Sequence, residues 1–266
     1  MPEILQHAFM QRALLAGVIV GVVCPLIGVF LVLRRLSLIA DTLSHVALAG
    51  IAIGLFVGVH PILSALVVAI VGGVGIDALR ARGRMFGEAA LAVFLSGGLA
   101  VAIVLIGLAR GFTVDLFGYL FGSITTVTPL DVWVIAALGG LTAAIVLGLY
   151  KELFAITFDE ETARTSGLPV RVLNLLFTVL TALVVVLAMR IVGVLLVGAL
   201  LVLPTLAAMQ VASSFRGTLA AAITFAVAAV VLGLVAAFYL DVAAGGAIVL
   251  VALALLGAAA VLPFRD

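Results

Sequence analysis

Nine apolar runs of about twenty residues, at 11–33, 41–59, 61–79, 88–109, 130–150, 172–189, 191–212, 217–239 and 244–263, constrain this chain more than any other feature. A hydrocarbon layer of about 30 Å takes about 20 residues of helix. In lipid every backbone polar group must be paired within the protein, so runs of this length can only be helices. With 67% hydrophobic and 9% charged residues, the chain lacks the polar surface of a soluble domain. The expected fold is an all-α polytopic membrane protein, a single transmembrane domain over residues 1–266 built as a bundle of eight to nine helices. Some runs are separated only by His60–Pro61, Arg190 or Phe215–Arg216; if one such pair is a broken or re-entrant helix, the number is eight. The first run is too long for the core of a cleaved signal peptide, and its leader sets Glu3 against a single Arg12.

Orientation follows from basic residues in short loops. If the loop after the first run is cytoplasmic, Arg34, Arg35, Arg80, Arg82, Arg84, Lys151, Arg164, Arg171, Arg216 and Arg265 lie inside, and Arg12, Arg110 and Arg190 outside. With nine spans the amino terminus is outside and the carboxyl terminus inside. A net charge of +1 gives no basis for a nucleic-acid partner.

Two segments interrupt the alternation of run and short loop. Residues 110–129, RGFTVDLFGYLFGSITTVTP, space Phe112, Leu116, Phe117 and Leu120 as a short amphipathic helix at the outer interface, or as a connector with aromatic anchors. Residues 151–171, KELFAITFDEETARTSGLPVR, form the polar stretch on the cytoplasmic side. There Asp159, Glu160 and Glu161 suit the first turn of a short helix, where carboxylates complement the helix dipole. Gly167 and Leu168–Pro169 supply its stop signal. The result is a compact docking knob or a solvated helical loop.

Charge within the apolar runs is concentrated at residues 34–58, RRLSLIADTLSHVALAGIAIGLFVG, and ionisable groups at membrane depth mark functional positions. Asp41 and His45 are four apart, so on a helix they project from one face, one turn apart, and can share a cation. If the helix begins near Leu36, His45 is roughly 14 Å along it, where a translocated ion has lost its water. Imidazole with carboxylate suits zinc, manganese or ferrous iron. Two ligands do not complete a shell, so a second copy of the chain, water or transient partners must add the rest. The competing reading is an Asp41–His45 hydrogen bond that fixes packing. Gly50, Gly54 and Gly58 form a doubled small-residue pattern on another face, expected to pack against a neighbouring helix. Ser44 points about 100° away from His45, which leaves it without the facing base a nucleophile needs.

The segments LRRLSLIADTLSHVALAGIAIG, FDEETARTSGLPV, MRIVGVLLVGALLVLP and YLDVAAGGAIVL together resemble the ABC-3 family of bacterial permeases over essentially the whole chain. Glu161, Ala163 and Gly167 are similar to the E-A-A-x-x-x-G loop of importer permeases, with Thr162 departing from its second position. The resemblance implies the membrane subunit of an ATP-driven metal importer in the bacterial cytoplasmic membrane. It implies a homodimer, a cytoplasmic ATPase docked at Asp159, Glu160, Glu161, Ala163 and Gly167, and an extracytoplasmic metal-binding protein. It also implies Asp41 and His45 as transient metal contacts, with no permanently bound cofactor. DTLSHVALAG looks closer to zinc-type than to manganese-type members, which usually have proline where this chain has Ala49.

No G-x-x-x-x-G-K-[ST] occurs, and Lys151 is the one lysine, so ATP must act through a partner unless an ion gradient drives transport. There is no H-E-x-x-H, His7 and His60 fall at the edges of runs, and the single Cys24 excludes a disulfide within the chain. Cys24–Pro25 and Pro204 read as kinks; Thr205, Met209 and Gln210 follow the second and could line a pathway or pack. Three function classes stand: an importer permease, a stand-alone cation/proton antiporter using Asp41 and His45, and an intramembrane enzyme using Ser44.

Overall fold

The computed structural model describes residues 6–81, 87–108 and 116–261. These form twelve α-helices, with no strand among the described residues. Eight are long and apolar enough to cross a membrane: α1 (Ala8–Leu33), α2 (Ser37–Val57), α3 (Pro61–Ala81), α4 (Gly87–Leu108), α6 (Pro129–Gly148), α9 (Val170–Val192), α11 (Phe215–Leu240) and α12 (Ala244–Val261). The others are α5 (Leu116–Phe121), α7 (Tyr150–Phe158), α8 (Glu160–Thr165) and α10 (Val197–Val211). Arg82, Arg84, Arg110, Phe112 and Arg265 of the expected loops lie outside the described residues.

The run expected at 191–212 is not a full ninth span. Helix α9 continues through Arg190 to Val192 and stops where Gly193 takes φ +86, a conformation that costs glycine little. Val194 and Leu195 then donate to the carbonyls of Tyr119 and Leu120 at 2.9 and 3.3 Å, which ties the turn to α5. Helix α10 starts only after that turn, and its 15 residues rise roughly 22 Å, less than a full hydrocarbon layer. It nonetheless returns the chain to the opposite end of the bundle. Val192 meets Gly245 at the start of α12, whereas Phe215, just after α10, packs on Phe30 near the end of α1 at 5.3 Å.

Helices α1, α2 and α9 are the buried centre, while α3, α4 and α6 each leave a broad apolar face exposed. Close approach at the centre depends on small residues, as packing between helices in lipid requires. A Cβ at Gly28 of α1 would collide with the carbonyl of Leu201 in α10. One at Gly50 of α2 would fall 2.6 Å from the Cα of Ala65 in α3, and one at Gly54 would fall 3.0 Å from the Cα of Pro61. Gly58 does something else: nothing lies within 4 Å of its added Cβ, and its φ of +78 makes it the left-handed C-cap of α2. The expected packing pattern therefore loses its third member to helix termination.

The described cations divide between the two ends. At the α5 end, Arg12 donates to the carbonyl of Val127 at 3.2 Å, and Arg190 to that of Thr126 at 3.2 Å and to Asp131 Oδ2 at 2.6 Å. Arg34, Arg35, Arg80, Arg164 and Arg171 surround one cavity at the opposite end, beside α8.

Candidate functional site

Helix α2 presents Asp41, Thr42, Ser44 and His45 in sequence, but the four groups are used differently. Thr42 Oγ1 donates to the carbonyl of Leu38 at 2.9 Å and approaches that of Leu91 in α4 at 3.5 Å. Ser44 Oγ donates to the carbonyl of Asp41 at 2.8 Å. Both residues are fully buried, so these hydroxyls satisfy themselves on backbone, as short polar side chains in helices do. Ser44 thus has its hydroxyl committed to its own helix, an arrangement unlike an activated nucleophile.

Asp41 and His45 are half-buried, and their side chains make no hydrogen bond or ion pair among the described residues. Asp41 lies at the first turn of α10, where a Cβ added to Gly198 would stand 3.3 Å from its Oδ1. The positive end of the α10 dipole therefore lies beside the Asp41 carboxyl group. His45 Nδ1 is buried without a hydrogen-bond partner among the described residues, a cost that a ligand would remove. Gly98 of α4 lets the two helices approach at this level; its added Cβ would lie 2.9 Å from the carbonyl oxygen of His45. No cluster of three His, Cys, Asp or Glu able to hold a metal occurs among the described residues. Among the described residues, Asp41 and His45 are too few to make a structural metal site by themselves.

Thr205 donates to the carbonyl of Leu201 at 3.1 Å and is fully buried, whereas Met209 is exposed. Thr205 therefore serves the helix beside Pro204 and is not free to line a pathway.

The polar stretch folds as α7 and α8. Asp159 caps α8, accepting from Thr162 N at 2.9 Å and from the Thr162 hydroxyl. These hydrogen bonds, the side-chain one first, hold the Asp159 carboxyl below the usual carboxylate range. Thr162, the departure from the importer loop pattern, is thus a second anchor for the cap. At the other end Leu168 N donates to Ala163 O and Gly167 N to Arg164 O, each at 3.2 Å, with Gly167 at φ +86. This is a Schellman closure, which demands glycine at that place. Ala163 is buried beneath the helix and Glu161 is exposed on it. Glu160 pairs with Arg164 at 2.9 Å and stands 3.7 Å from Arg34.

Arg34 was not singled out beyond its place in the basic count. It donates to Asn174 Oδ1 at 2.7 Å, lies 5.5 Å from the Phe177 ring centre, and so joins the α1–α2 junction to both α8 and α9. Burial, partly offset by Glu160, pulls its pKa below the usual arginine value, though a guanidinium stays charged there. Asp131 was likewise missed; it forms a capping box with Thr128 and receives Arg190.

Eight long apolar helices and one short returning helix, with cations drawn to the two ends and a capped helical knob at one of them, define a polytopic membrane protein. The chain belongs to the ABC 3 transport family, whose family model it matches over residues 6–262. It is 32% identical over 250 residues to the manganese transport system membrane protein MntC of Halalkalibacterium halodurans, covering 94% of this chain and 86% of that one. It is 28% identical to the high-affinity zinc uptake system membrane protein ZnuB of Haemophilus influenzae, covering 90% of this chain and 91% of that one. Its fold superposes on the solved structure of PsaBC from Streptococcus pneumoniae in complex with Fab with a TM-score of 0.88 at 32% identity, covering 96% of this chain and 92% of the other.

Proposed function

We propose that this chain is the permease subunit of an ATP-binding-cassette importer that carries a divalent transition-metal ion across the bacterial cytoplasmic membrane. The observation that carries the reading is the family match along residues 6–262, supported by relatives of nearly equal length named for manganese and zinc transport. The whole chain acts as one transmembrane domain, with the α8 end inside and the α5 end outside.

In this reading Asp41 and His45 are a waypoint near mid-membrane. A carboxylate and an imidazole accept a partly dehydrated metal, and the second copy of the chain or water completes the shell. Because the chain has no phosphate-binding loop, ATP is hydrolysed on a separate cytoplasmic subunit that docks on Asp159, Glu160, Glu161, Ala163 and Gly167. An extracytoplasmic metal-binding protein delivers the ion at the α5 end. The transported ion is zinc or manganese: Ala49 resembles the zinc type, while the relatives carry both names.

The test is metal uptake into vesicles holding this chain, its ATPase and its binding protein, with zinc, manganese and iron in competition. Uptake that requires ATP and favours one of these metals is expected. Uptake driven by a proton gradient with no ATPase present would replace this reading with the antiporter.

A further inference from the structure

Between the α1–α2 junction, the end of α3 and the start of α9 lies an open cavity of about 1020 Å³, comparable to the upper range of small-molecule pockets. Neither Asp41 nor His45 lines it. Its walls carry five guanidiniums, from Arg34, Arg35, Arg80, Arg164 and Arg171, against the carboxylates of Asp77 and Glu160. Such a surface repels a divalent cation, so it is not a stage on a metal pathway; it attracts an anion.

The internal pairs leave part of that charge unspent. Glu160 is engaged by Arg164 and faces Arg34, and Arg34 is held by Asn174. Arg35 and Arg171 are exposed, and their guanidiniums make no hydrogen bond or ion pair among the described residues. Beside them the lining turns apolar. Val74 of α3 and Val172 and Leu175 of α9, on helices long enough to span a membrane, are 40%, 62% and 39% exposed. The ligand that matches both walls is an anion that also carries alkyl chains.

We propose that this cavity seats the phosphodiester headgroup of an anionic phospholipid from the leaflet at the α8 end, with its acyl chains lying along α3 and α9. Arginine forks suit phosphate oxygens geometrically as well as electrostatically, and basic pockets between membrane helices take anionic headgroups. A free phosphate shares the headgroup chemistry but leaves the apolar wall uncovered. The inference needs only that the chain spans a membrane, so it stands or falls separately from metal transport.

The test is a lipid titration of the detergent-solubilised full chain followed by native mass spectrometry, with phosphatidylglycerol and phosphatidylcholine as probes. Phosphatidylglycerol is expected to bind in preference to phosphatidylcholine, and the double variant Arg35→Gln/Arg171→Gln to lose roughly tenfold or more of that affinity. Arg216→Gln removes a cation that does not line the cavity and is expected to bind as the parent does. Equal retention of both lipids, or an unchanged double variant, would overturn the proposal, as would an equal loss in Arg216→Gln. Excess inorganic phosphate is expected to leave the lipid in place; its displacement by phosphate would assign the site to the free anion instead.

Discussion

The guanidinium of Arg34, at the C-cap of α1, stands 3.7 Å from the carboxylate of Glu160, the first residue of α8. Glu160 is 40% exposed, so the electrostatic gain is about 0.2–1 kcal/mol at most, and the importance of the contact is positional. Arg34 leads into α2 within three residues, and α2 carries Asp41 and His45. In the proposed reading, a displacement of α8 reaches α2 through this side-chain contact, steadied by the 2.7 Å bond to Asn174.

From this contact, Arg34→Ala is expected to leave the ATPase bound and hydrolysing while metal moved per ATP falls roughly fivefold or more. Glu160→Gln should shift the ratio the same way by less, because Asn174 still holds the arginine. Parallel assays of hydrolysis and uptake in one vesicle preparation measure it; an unchanged ratio in Arg34→Ala would remove the coupling role.

How much of this was legible beforehand depended on the range of the interaction. Spans follow from local composition, and the α8 knob from Asp159, Gly167 and Pro169, whose signals act within a turn or two. That one of the tight junctions could hold an irregular helix was legible, but that it is the one near Arg190 was not, because the stop at Gly193 is fixed by backbone contacts with Leu120 and Phe121 some seventy residues earlier. Gly58 misled for the opposite reason: its spacing matched a packing stripe, yet it sits where α2 ends. Arg34 with Asn174 and Arg190 with Asp131 pair across 140 and 59 positions, and no spacing rule reaches that far. Asp41 and His45 stood out as ionisable groups in an apolar run, whereas the first turn of α10 beside Asp41 is purely tertiary.

Stability should hinge on the other ion pair. Arg190 and Asp131 are 13% and 7% exposed at 2.6 Å, so removing one partner strands a buried charge. Arg190→Ala is expected to cost about 3–5 kcal/mol and to lower the unfolding midpoint in detergent. Arg190→Met with Asp131→Leu should recover most of that loss, since a well-packed apolar pair often replaces a buried ion pair without penalty. A midpoint as low in the double variant as in the single one would show that the charge, rather than its being left unpaired, is what this end requires.

The cap on α8 carries a pH signature. Hydrogen bonds from Thr162 depress the Asp159 pKa, so its contribution is present above the unfolded value of about 3.9 and is lost as pH falls through the folded value. Amide exchange in 160–165 should accelerate on acidification in the parent, while Asp159→Ala exchanges fast already at neutral pH. Equal exchange in parent and variant at neutral pH would deny the cap its role.

At the proposed metal pair the decisive comparison is between neighbours. Ser44 gives its hydroxyl to the carbonyl of Asp41, while His45 Nδ1 has no partner to lose. Ser44→Ala is therefore expected to change uptake little and His45→Ala to abolish it, with the ATPase still associated in both. Gly198→Leu adds bulk where a Cβ alone already comes within 3.3 Å of Asp41 Oδ1, so it should impair uptake with both ligands intact. Metal uptake and co-purification of the ATPase across the three variants check this. Full uptake in His45→Ala would move the waypoint elsewhere, and loss of activity in Ser44→Ala alone would revive the serine as a reacting group.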